Sequence, residues 1–99
     1  MAADPNEIVR VHIWVTGRVQ GVGFRAHVEY YGVKLGVAGW VRNVGYNTVE
    51  AVAEGTQSQI DQFIEMVKQG PRASRVDEAR VEVEAITGEF KEFGVRRSL

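Results

Sequence analysis

Residues 17–25 read Gly-Arg-Val-Gln-Gly-Val-Gly-Phe-Arg, a stretch in which three glycines precede an arginine. Glycine adopts backbone conformations closed to other residues, so Gly17, Gly21 and Gly23 allow successive N–H groups to turn inward as a concave nest for anionic oxygens. A helix starting directly after Gly23 would add its unpaired N–H groups and positive dipole end. Arg25 would add a forked, charge-assisted donor that lysine cannot copy. Such glycines can also be turn formers and nothing more, but three of them plus Arg25 favour an anion site. Gly21, Gly23 and Ala26 satisfy the G-x-G-x-x-A spacing of a dinucleotide site. That site needs an acidic residue about 20 positions further on, and residues 41–48 contain no carboxylate. The lysine and hydroxyl that end a nucleotide P-loop are missing as well. No Ser, Cys or His in the loop offers a nucleophile.

The flanking sequence supplies the elements that must hold this loop. Val9, Val11, Ile13 and Val15 alternate with Arg10, His12, Trp14 and Thr16, the period of a half-buried strand. After the glycines, Phe24, Val28, Tyr31 and Leu35 recur at helical spacing, with Gly36 placed as a left-handed C-terminal cap. Gly32 inside that helix should cost about 1 kcal/mol relative to Ala. Residues 37–43 and 48–54 read as a strand hairpin. Thr56, Gln57, Ser58 and Gln59 match a capping box ahead of Ile60, Phe63, Ile64 and Val67, and Gly70 and Pro71 end that helix. Residues 76–86 alternate charged with apolar side chains as a fourth strand, and Phe93–Val95 reads as a short fifth.

Strand, helix, strand, strand, helix, strand is the split-crossover order of a ferredoxin-like α+β domain: a mainly antiparallel sheet of four to five strands with two helices on one face. Arg10, His12, Trp14, Arg42, Glu50 and Glu82 then belong to the opposite face. A helix over residues 23–35 descends roughly 20 Å, and a strand over 37–43 climbs back roughly 23 Å. In a right-handed crossover strands one and two run the same way, so Asn43 finishes beside the glycine loop. There its carboxamide either holds a water or simply begins the turn to strand three.

Composition limits the alternatives. Ninety-nine residues with 44% hydrophobic and 25% charged content make one domain, here residues 8–99 behind a flexible segment 1–7. Twelve Lys+Arg against 13 Asp+Glu leave a net charge of −1, so anion affinity must come from local donors, and no nucleic-acid partner is expected. Carboxylates at Glu50 and Glu54, where an RNA-binding sheet would stack bases, point the same way. The absence of cysteine removes disulfides and thiolate metal sites, and no apolar run reaches membrane-spanning length. A cytoplasmic monomer without membrane contact is the expectation. His12 and His27 stand on different elements without a ligand cluster and read as surface histidines, not metal ligands. Trp14 and Trp40 fall on outward strand positions and read as packing residues.

With these residues in place, the chain resembles the acylphosphatase family over nearly its whole length. The family's G-x-V-Q-G-V-G-F-R loop is unbroken at Gly17, Val19, Gln20, Gly21, Val22, Gly23, Phe24 and Arg25. Its G-[YW]-x-x-N stretch stands as Gly39, Trp40, Val41, Arg42 and Asn43, and Val49, Glu50, Ala53, Glu54, Gly55, Gly70 and Pro71 also agree. The resemblance implies hydrolysis of an acyl phosphate to a carboxylate and inorganic phosphate, without metal or cofactor. Arg25 and the backbone of Gln20, Gly21, Val22, Gly23 and Phe24 would bind the phosphate, and Asn43 would orient the attacking water. Two departures stand away from these positions. Gly45, Tyr46, Asn47 and Thr48 replace the usual Asp-Gly turn, with Asn47 expected to tolerate a left-handed conformation. Gly32 replaces a common Ala and is expected to affect the first helix alone.

Overall fold

The computed structural model describes residues 4–99, so residues 1–3 of the expected flexible segment lie outside the described residues. The elements run β1 (Ile8–Arg18), α1 (Phe24–Leu35), β2 (Ala38–Val44), β3 (Thr48–Thr56), α2 (Gln57–Gln69), β4 (Arg75–Glu84) and β5 (Phe93–Val95). They form the ferredoxin-like βαββαβ arrangement, with one sheet in the order β4-β1-β3-β2-β5. All pairings are antiparallel except β2 with β5. β1 and β2 both run antiparallel to β3 between them and are therefore parallel to each other.

The alternation seen in the sequence decides what is buried. Val11, Ile13 and Val15 of β1 join Val49, Ala51 and Ala53 of β3 beneath Phe24 and Val28 of α1 and Ile60, Phe63 and Val67 of α2. α1 ends at Gly36 in the left-handed conformation, φ 77°, as its position demands. α2 begins with a complete capping box: Gln59 N donates to Thr56 Oγ1 at 3.1 Å, and Thr56 N donates to Gln59 Oε1 at 2.8 Å. Its next donors are also engaged, Gln57 N by Glu7 O at 2.8 Å and Ser58 N by Pro5 O at 3.1 Å. No helix among the described residues is long and apolar enough to cross a membrane.

Three local details differ from the sequence reading. β1 continues through a bulge at Thr16/Gly17 to Arg18, because Gly17, φ 133°, allows β4 to come so close that a Cβ would lie 2.3 Å from Arg75 O. In the β2–β3 turn the positive φ belongs to Gly45 at 60°, not to Asn47. Asn47 Oδ1 instead accepts a hydrogen bond from Thr48 Oγ1 at 3.1 Å. Gly32 does more than weaken α1, since a Cβ there would meet Phe93 Cγ at 2.6 Å. The missing side chain is the space into which β5 packs its ring.

The outer face of the sheet is less open than expected. Glu50 and Glu54 are only 6% and 8% exposed. Glu50 accepts from Arg42 Nε at 2.7 Å and lies 2.6 Å from His12 Nε2, while His12 Nδ1 lies 2.8 Å from Glu84. Glu54 accepts from Arg10 Nη1 and Thr87 N, both at 3.0 Å, and from Gly88 N at 3.1 Å, so the segment after β4 folds back over this face. Burial works against charge on Glu54, but the donors from Thr87, Arg10 and Gly88 outweigh it and hold the carboxyl below its usual range. His12 is accordingly a half-buried member of an ion-pair network, not the surface histidine expected. Trp14 stacks on its ring at 3.8 Å between centroids.

Candidate functional site

The sheet register brings the two candidate segments together. Thr16 pairs with Thr48, and Thr48 with Val44, so the loop leaving β1 and the last residues of β2 occupy one end of the sheet. Between them lies a cavity of about 360 Å³, within the range of small-molecule sites. Gln20, Gly21, Gly23, Phe24, Arg25 and Asn43 all line it. Val22, the remaining residue of the expected set, packs partly buried against the core.

Loop and helix start are built to leave donors free. Gly21 and Gly23 take positive φ values of 73° and 81°, and Gly23 is the N-cap of α1. A glycine cap has no side chain to accept from the helix, and no acidic residue stands in the first turn. The backbone N–H groups of residues 20–26 consequently meet no protein acceptor among the described residues. Unpaired N–H groups at a helix start, with the positive end of its dipole, favour an anion.

Arg25 and Asn43 flank this start. The Arg25 guanidinium forms no ion pair among the described residues, and its one polar contact is a 3.4 Å hydrogen bond from Nη1 to Ser98 Oγ. Glu29, one turn further along α1, lines the cavity without pairing to it. Asn43 is fixed through its backbone, its carbonyl accepting from Leu99 N at 2.9 Å. Its side-chain Oδ1 is buried with no protein hydrogen-bond partner among the described residues. An unsatisfied buried carbonyl oxygen is uncommon in folded proteins and marks a place where a donor from solvent or ligand is wanted.

Gln20 has a function that the sequence did not disclose. Its side chain turns away from the loop and donates Nε2 to Thr48 O at 2.9 Å and Gly45 O at 3.1 Å, with Val44 O at 3.3 Å. The carboxamide thereby ties the glycine loop to the turn that follows Asn43. Glu29 and Val95 also line the cavity, where nothing local in the sequence distinguishes them from other surface positions, as does Ala26, which the sequence offers only through the dinucleotide spacing. No group of three or more His, Asp or Glu side chains suited to a metal ion occurs among the described residues.

Comparison with known proteins agrees with this fold. The acylphosphatase family profile matches residues 11–95. An acylphosphatase of Syntrophobacter fumaroxidans is 42% identical over 86 residues, 87% of this chain and 89% of that protein. The crystal structure of acylphosphatase from Bacillus subtilis superposes with a TM-score of 0.85 at 36% identity, covering 89% of this chain and 98% of that one. A full-length HypF structure matches with a TM-score of 0.83 at 30% identity, covering 93% of this chain but 12% of that much longer one. The profile match, the identity to these relatives and the fold they share give one conclusion: the chain belongs to the acylphosphatase family and is a hydrolase of that type.

Proposed function

We propose that the chain hydrolyses the carboxyl-phosphate bond of acyl phosphates by direct attack of a water molecule on phosphorus. The phosphoryl group is held by the N–H groups of residues 20–24 and by the Arg25 guanidinium. These donors stabilise the charge that spreads over its oxygens in the transition state. Asn43 Oδ1 accepts a hydrogen bond from the water and aims its lone pair. A carboxamide is no base at neutral pH, so the proton passes to a phosphate oxygen. The P–O bond to the acyl oxygen breaks with its electrons leaving on the carboxylate, and the products are a carboxylate and inorganic phosphate. A mixed anhydride is already activated, so positioning and electrostatics supply what is needed.

The observation that carries this reading is that Asn43 lines the same cavity as Arg25 while its Oδ1 has no protein hydrogen-bond partner among the described residues. The test measures phosphate release from acetyl phosphate, with and without a chelator, and phosphate binding by calorimetry. Arg25→Ala should abolish turnover and binding together. Asn43→Ala should lower kcat by about 10² or more while phosphate affinity stays within a few-fold, as expected for a group that positions the nucleophile. Equal loss of binding in both variants overturns the division of roles. Absence of turnover in the unaltered chain favours a phosphate-binding module.

A further inference from the structure

We infer that the outer face of α1 receives the acyl portion of the substrate and that the preferred substrates carry an uncharged, apolar acyl group about 10 Å long. This rests on the reading of the phosphate site given above. The two helices differ in what they expose. On α2 every exposed residue is polar: Ser58, Asp61, Gln62, Glu65, Lys68 and Gln69. On α1 the exposed residues are Ala26, Tyr30, Val33 and Lys34, three of the four apolar. Tyr30 is 58% and Val33 62% exposed although the opposite side of the helix, through Phe24 and Val28, already fills the core. An amphipathic helix needs one apolar stripe, and α1 has two.

The second stripe is continuous with the phosphate site. Ala26 and Glu29 line both the cavity beside Arg25 and a neighbouring groove of about 570 Å³, whose other walls are Tyr30, Val33 and Lys34. Ala26, Tyr30 and Val33 are spaced by four and three and so share one face. From Ala26 to Val33 the helix rises about 10 Å. A substrate whose phosphate sits at the start of α1 therefore has an apolar track for its acyl chain along the same helix. The Glu29 carboxylate stands where the two spaces meet and disfavours an acyl group with a negative charge of its own. Lys34 lines the far end of the groove, its ammonium 5.7 Å from the centre of the Tyr30 ring.

The experiment compares kcat/KM for 3-phenylpropanoyl phosphate and acetyl phosphate in the unaltered chain, Tyr30→Ser and Val33→Ser, with succinyl phosphate as the charged control. The ratio of the phenylpropanoyl to the acetyl value should fall about five- to tenfold in each variant, the low end of apolar discrimination, and succinyl phosphate should be the poorest of the three. A ratio within twofold of the unaltered chain overturns the groove and leaves the phosphate site standing. If no acyl phosphate is hydrolysed, the reading of the phosphate site falls, and the groove is judged by NMR titration. 3-Phenylpropylphosphonate should shift the Tyr30 and Val33 amides where methylphosphonate does not, and equal shifts overturn it. A dimer seen by sedimentation and lost in Tyr30→Ser also overturns it, making a second copy of the chain the occupant of the stripe.

Discussion

Gln20 and Thr48 lie on different segments, yet the Gln20 carboxamide reaches the Thr48 carbonyl at 2.9 Å and so joins the glycine loop to the turn after Asn43. Gln20→Leu removes the donor and leaves carbonyls at the turn without it, a loss of about 1 kcal/mol in stability. Because the link sets loop against asparagine, kcat should fall about tenfold or more with a smaller change in KM. Gln20→Glu should be less stable than Gln20→Leu, since an ionised carboxylate faces the same carbonyl oxygens with no hydrogen to offer. Thermal unfolding and steady-state kinetics on both variants check the order.

Gly32→Ala sets two effects against each other. Helix propensity favours Ala by about 1 kcal/mol. The Phe93 ring already occupies the position, 2.6 Å from where the Cβ would stand, and overpacking of that kind costs about 1–3 kcal/mol. The substitution should therefore destabilise the protein on balance. Combined with Phe93→Ala it should cost less than the sum of the two single changes, as a double-mutant cycle in urea would show.

The network on the outer sheet face makes stability depend on acid. Hydrogen bonds from His12 and Arg10 hold the Glu84 carboxyl below its usual range despite partial burial, and Glu54 is lowered as described above. A lowered folded-state pKa means that the unfolded chain takes up protons first. The stabilisation is present above the ordinary carboxylate value of about 4.3 and is lost as pH falls below it through the folded-state values. Urea midpoints should drop between pH 5 and about 3. Glu84→Gln should show a smaller drop over that interval and a lower midpoint at pH 7.

Thr56→Ala removes one half of the α2 capping box and should lower stability by about 1 kcal/mol, within the usual range for such caps. Thr56→Ser should recover most of it in the same denaturation assay.

What the sequence disclosed and what it withheld divide along physical lines. The capping box at Thr56 and Gln59, the Gly36 cap and the alternation of β1 are local codes, read within a few residues of where they act. The meeting of Asn43 with the glycine loop followed from element lengths and the hand of the crossover. Contacts between distant segments left no such trace. Nothing near Gly32 reveals that Phe93 will need its space, and nothing near Glu54 reveals that Thr87 and Gly88 will fold over it. Alternation assigns a side chain to a face but not what covers that face, so the sequence puts Glu50 on the outer face without its cover and makes His12 a surface histidine. The inward stripe of Phe24, Val28 and Leu35 accounts for the helix by itself, so the sequence pattern gives no sign of the exposed stripe of α1.

The two helices start in opposite ways. α2 answers its first three donors from within the chain, through Glu7, Pro5 and Thr56, while α1 begins at Gly23 with its first donors unanswered. Serine or aspartate is the usual residue at a helix start, yet at φ 81° position 23 strains any side chain, and an oxygen there would compete with the substrate for the same amides. If those amides serve the chemistry proposed here, α1 stays without the cap that α2 has, and any change that closed this junction from within the chain would work directly against turnover.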